Sequence, residues 1–159
     1  MGTTIFQDKP VVKVDAAVLV VEALQKMHEQ KIHHIVVTEN EKYLGVFSER
    51  NFFENSAKKG SDIMNLPIGN YCSKGSMTID DKTDLSTALI QLAKAEQTAL
   101  PILDRSGNIT GIVTESDVLK VFNNIFQGEE LTLVERGELF LGKNPLAQEL
   151  ISLLNSLGI

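Results

Sequence analysis

The chain nearly repeats itself, and any fold for it must accommodate two similar units. A shift of 65 residues lays V-V-K-V-D at Val11–Asp15 onto S-M-T-I-D at Ser76–Asp80. The next stretch of the first copy places apolar residues at Val20, Ala23, Leu24 and Met27, and the second at Leu85, Ala88, Leu89 and Leu92. That i, i+3, i+4, i+7 spacing predicts an amphipathic helix in each copy. Short apolar runs follow, Ile35-Val36-Val37 and Leu100-Pro101-Ile102-Leu103. They predict buried strands. Polar turns come next, Glu39 to Lys42 and Asp104 to Asn108, and the second is one residue longer. Its Ser106-Gly107-Asn108 suits a hairpin. At a shift of 66, Gly45-Val46-Phe47 then matches Gly111-Ile112-Val113, and a second helix opens at Ser48 and at Thr114. Identities are few: Asp15/Asp80, Ala23/Ala88, Leu24/Leu89, Gly45/Gly111 and Glu49/Glu115.

Each copy reads strand, helix, strand, strand, helix. The expected fold class is therefore α+β: two βαββα repeats packed sheet to sheet, plus a C-terminal helix. A half of roughly 50 residues hides too little surface to be secure alone, so pairing stabilises both. The expected divisions are 1–61 for the first repeat, 62–124 for a connector and the second repeat, and 125–159 for a tail. The connector contains Pro67, Gly69 and Gly75. In the tail, Asn144-Pro145 resembles an N-cap with proline in the first turn. Leu146, Leu150, Leu153, Leu154 and Leu157 stripe the helix expected near 145–157, which would dock on its own domain or on a dimer mate.

Composition narrows the function. The net charge is −6, with Lys and Arg scattered. Counterion release, the main source of nucleic-acid affinity, has no basic platform here, so no DNA or RNA partner is expected. No apolar run approaches the length needed to span a bilayer. Residues 1–10 lack the pattern of a secretory signal. The single cysteine, Cys72, cannot form an internal disulfide and reads as a small core or loop residue; a reducing cytoplasm is the expected location.

With the repeat established, its second copy resembles the CBS-domain family. The motif is hydrophobic, Gly, hydrophobic, any residue, Thr or Ser, two residues, Asp. Here it stands as Thr110-Gly111-Ile112-Val113-Thr114-Glu115-Ser116-Asp117, preceded by Ala99-Leu100-Pro101-Ile102-Leu103-Asp104. The resemblance covers roughly Ile5 to Asn123. It implies a tandem pair (a Bateman module) whose repeats pack with pseudo-two-fold symmetry and leave two clefts that take AMP, ADP, ATP, NAD or S-adenosylmethionine. It also implies a homodimer, a regulated enzyme or transporter in trans, and no catalysis by the module itself. Carried over position by position, the cleft of Asp117 would be lined by Val11, Val12, Ile32 and His33. The cleft of Asn51 would use Asn70, Lys74, Met77 and Thr98.

The motif also has chemistry of its own. Thr114 stands where a strand gives way to a helix, a place where free N–H groups favour an anion. The hydroxyls of Thr114 and Ser116 can hold a phosphate, and an ionised Asp117 can accept both hydroxyls of a ribose. Thr-x-x-Asp is also nearly a capping box, which stabilises a helix start and binds nothing. In the first copy Asn51 replaces Asp117, with Ser48 left as phosphate contact or N-cap. An amide has one acceptor oxygen, so the Asp117 cleft is expected to bind better. His33 and His34 are neighbours on a strand and point to opposite faces, which makes them poor joint metal ligands. Arg50 reads as a solvated charge or a phosphate partner. No catalytic triad, metal-spaced cluster or phosphate loop appears. The alternative to a nucleotide sensor is a ligand-free dimerisation or partner-docking module.

Overall fold

A computed structural model describes residues 10–94 and 97–119. The expected tail helix near 145–157 lies outside the described residues. The first repeat runs β1 (Lys13–Asp15), α1 (Val20–Gln30), β2 (His34–Glu39), β3 (Lys42–Ser48) and α2 (Glu49–Lys59). A connector with two 3₁₀ turns and a short strand, β4 (Ser73–Lys74), leads to β5 (Ile79–Asp80). Then come α3 (Leu85–Lys94), β6 (Ala99–Leu103), β7 (Ile109–Thr114) and a helix over 115–119.

The sheets are ordered β1-β2-β3-β4 and β5-β6-β7. In each, the first strand runs parallel to the second and the hairpin is antiparallel. The repeat extends to an irregularity. Pairing shifts between Val37 and Thr38 in one hairpin and between Ile102 and Leu103 in the other, at corresponding positions. A bulge of this kind sharpens the twist of a strand pair.

Strand β2 is a continuous apolar run because both of its faces are covered. Ile35 and Val37 join Val20, Ala23, Met27 and Phe47 in the core of the first half. Val36, between them, points the other way and joins Ala99 and Ile112 of the second half. The second half mirrors this, with Leu100, Ile102 and Val113 beneath α3. Successive strand residues face opposite sides, so one run supplies both the inner core and the seam.

The connector is structural. Ile63, Ile68 and Cys72 are buried in the core of the first half. Burial pushes the Cys72 thiol above its ordinary pKa, against the pull of Lys74, so it stays protonated at neutral pH. Strand β4 lies along β3, with Ser73 opposite Val46 and Lys74 opposite Gly45. Gly45 permits that approach, since a Cβ there would sit 2.5 Å from the Ser73 carbonyl oxygen. Gly45→Ala must therefore push β4 off its partner. We expect a loss of about 1–3 kcal/mol in urea unfolding, the usual cost of overpacking. An unchanged midpoint would show that β4 does not need this contact.

The two halves differ at one backbone joint. Val36 donates its N–H to the Val12 carbonyl at 3.1 Å. The corresponding residue in β6 is Pro101, which has no N–H to give. A side chain takes over: Gln97 accepts the Met77 N–H at 2.8 Å and donates to the Met77 carbonyl at 3.4 Å.

Candidate functional site

Two polar contacts cross the seam beside the Val36, Ala99 and Ile112 cluster. His34 Nε2 and Thr98 Oγ1 lie 2.6 Å apart. The Tyr43 hydroxyl and Ser76 Oγ lie 2.8 Å apart. Burial raises the pKa of the Tyr43 phenol, with Ser76 pulling the other way, so it stays protonated. A cleft opens by each repeat's strand-to-helix junction, and His34 borders both.

The larger cleft, about 410 Å³, is walled by Val11, Val12, Ile32, His33, Thr114 and Ser116, together with Lys31 and His34. All six of the first-named residues were expected at one site from the sequence, and the structure brings them together. Lys31 was not anticipated. It follows the last turn of α1, a place that carries no motif. The smaller cleft, about 200 Å³, is walled by Ser48, Asn51, Ser73, Ser76, Gln97 and Thr98 among others. Of the residues expected there, Thr98 is present, whereas Asn70, Lys74 and Met77 are not in the wall. Connector strand β4 supplies Ser73 instead, and Gln97 occupies the polar groups of Met77.

The strand-to-helix junctions share one device. Asp117 Oδ2 accepts the Thr114 N–H and the Thr114 hydroxyl, both at 2.9 Å. Asn51 Oδ1 accepts the Ser48 N–H and the Ser48 hydroxyl, also both at 2.9 Å. One carbonyl-type oxygen is enough, which explains how Asn replaces Asp without loss of the cap. The Asn51 amide nitrogen donates onward to Ser73 Oγ at 3.0 Å.

This arrangement changes the roles read from the motif. Asp117 is 5% exposed and lies behind Thr114, not in the wall of the cleft. The Thr114 hydroxyl proton is committed to Asp117, so Thr114 as placed offers the cleft an acceptor. Ser116 is exposed and lines the cleft. His33 is exposed and holds Glu49 through Nδ1 at 3.1 Å, while His34 turns into the seam. The two imidazoles have different partners, and among the described residues no cluster of three His, Cys, Asp or Glu side chains forms. Arg50 pairs with Glu54 at 2.9 Å on the surface of α2.

Paired βαββα repeats whose sheets meet along a seam bordered by two clefts define the class of this protein. The CBS domain model matches residues 5–58 and 61–124, and the chain belongs to the CBS domain family. An uncharacterized protein of Methanopyrus kandleri is 28% identical over 102 residues, covering 64% of this chain. The matched stretch is 52% of that relative, so this chain spans about half its length. Among solved structures, a CBS domain pair in complex with 5′-methylthioadenosine and S-adenosyl-L-methionine superposes with a TM-score of 0.70 at 17% identity, over 78% of this chain and 97% of the other. The cytosolic domain of the Mg²⁺ channel MgtE in complex with ATP gives 0.57 at 25% identity, over 70% and 44%.

The cap makes a prediction that separates its oxygen from its charge. Asp117→Asn keeps an oxygen for Thr114 and should change stability little. Asp117→Ala removes it and should cost about 1 kcal/mol, the usual loss on deleting a capping acceptor. Thermal unfolding of the two variants checks this, and equal losses would refute a cap made by one oxygen.

Proposed function

We propose that this pair is a non-catalytic sensor that binds an adenosine-containing ligand in the larger cleft. One observation carries the reading. Val11, Val12, Ile32 and His33 of one repeat face Thr114 and Ser116 of the other across a hollow of about 410 Å³. Small-molecule sites usually measure about 300–1,000 Å³, so the larger cleft falls in range and the smaller, at about 200 Å³, falls below it. The apolar side chains of Val11, Val12 and Ile32 suit the faces of an adenine ring, and Ser116 supplies a hydroxyl donor. In this reading Asp117 positions Thr114, and turns to meet a ribose only by giving up its two bonds to that residue.

The smaller cleft is the weaker site. Its Asn51 amide is engaged by Ser73, and the backbone of Met77 is engaged by Gln97. The two solved structures hold adenosine-containing ligands, which supports that ligand class for those proteins, and we extend it to this one. The family resemblance extends the proposal to a regulated enzyme or transporter in trans and to a homodimer acting in the cytoplasm. A second reading, a ligand-free docking or dimerisation module, is favoured by the internal satisfaction of both caps.

Thermal unfolding with AMP, ADP, ATP, NAD or S-adenosylmethionine separates the two. A ligand at 100 times its Kd that binds only the folded state adds about 2.7 kcal/mol. No shift with any of the five leaves the docking reading. By calorimetry, Asp117→Ala should weaken binding about tenfold, because Thr114 loses the acceptor that holds it at the cleft and one well-placed hydrogen bond is of that scale. Asn51→Ala should leave the main affinity unchanged, and equal losses from both would overturn the asymmetry.

A further inference from the structure

The larger cleft has a charge that the rest of the chain does not. The protein carries a net −6, yet no Asp or Glu is among the described residues lining this hollow. Its lining includes one full cation, Lys31. Among the described residues Lys31 has no ion-pair partner. The smaller cleft differs, since its cation, Arg50, lies against Glu54, which lines the same wall.

The backbone at Lys31 adds a second observation. Helix α1 ends with Ile32 N–H on the Met27 carbonyl at 3.0 Å and Lys31 N–H on the His28 carbonyl at 3.1 Å. This is the Schellman ending, whose penultimate residue is left-handed and most often glycine. Lys31 occupies that place at φ 53° and ψ 45°. A side chain is disfavoured there relative to glycine. Asn40 and Glu41 take the same region in the turn between β2 and β3, so at Lys31 the conformation serves to place the side chain and does not by itself mark a ligand. Here the left-handed turn carries the lysine to the wall of the cleft.

We propose that Lys31 determines specificity in the larger cleft by selecting adenosine ligands that bear a phosphate over neutral or sulfonium ones. This rests on the adenosine reading above. The ammonium attracts a phosphate and repels a sulfonium; the nearest carboxylates, Asp117 and Glu49, stand behind Thr114 and His33, each bonded to that residue and outside the wall.

Calorimetry on the full chain with AMP, adenosine and S-adenosylmethionine tests it. Wild type should bind AMP roughly ten- to a hundredfold tighter than adenosine, the range of one hydrogen bond to a charged group. S-adenosylmethionine should bind no better than adenosine. Lys31→Gly suits the left-handed backbone, so it should keep or raise thermal stability. It should abolish the AMP preference while leaving adenosine affinity unchanged, and Lys31→Arg should preserve the preference. If wild type holds adenosine as tightly as AMP, or Lys31→Gly keeps the preference, the charge selection is overturned and the adenosine reading stands. If wild type binds none of the three, and none of ADP, ATP and NAD either, the adenosine reading fails and takes this inference with it.

Discussion

The contact of Val36 with Ala99 and Ile112 joins the two halves, and units of this size gain most from such pairing because each hides little surface by itself. Each half keeps its own core beneath its helices. What the seam adds is a second covered face for the central strands. That is why β2 is apolar at Ile35, Val36 and Val37 in succession, without the alternation of a half-exposed strand. The clefts depend on the same contact. They lie where the two sheets meet and the strand-to-helix junctions of opposite repeats draw near, so their walls exist only when the halves are paired.

Symmetry is kept in the backbone and broken in side chains. Both hairpins shift register at corresponding residues, and both junctions use one oxygen to hold the preceding hydroxyl and N–H. The departures are local and chemical. Pro101 removes a donor that Val36 supplies, and Gln97 compensates with its amide. Asn51 repeats the cap of Asp117 but has a donor left over, which Ser73 accepts. Each substitution satisfies polar groups of the chain itself within the smaller cleft. The larger cleft escapes this internal pairing at Ser116 and Lys31.

Much of the architecture was legible from periodicity. A 3.6-residue stripe and a short apolar run, each found twice at one offset, led to the element order and the pairing of the halves. The wall of the larger cleft at Val11, Val12, Ile32, His33, Thr114 and Ser116 followed from the family resemblance carried over by position. The wall of the smaller cleft followed only at Ser48, Asn51 and Thr98. The connector looks like a loop in sequence, with Pro67, Gly69 and Gly75, yet it donates Ile63, Ile68 and Cys72 to the core and a strand to the sheet. Nothing periodic marks a two-residue strand. Its place is decided by the room beside Gly45, which is a three-dimensional fact.

The sequence alone determined that there are two units, what each is built from, and which residue types stand at each strand-to-helix junction, because these depend on spacing along the chain. Tertiary structure decided what those residues do. Thr-x-x-Asp is compatible with a cap and with a ribose site, and only the packed fold turned Asp117 onto Thr114 and out of the wall. It also decided that Lys31, with no motif around it, stands at the cleft. Roles of this kind depend on which groups from distant parts of the chain share a hollow, and on which polar atoms the chain has already satisfied, neither of which is a local property of sequence.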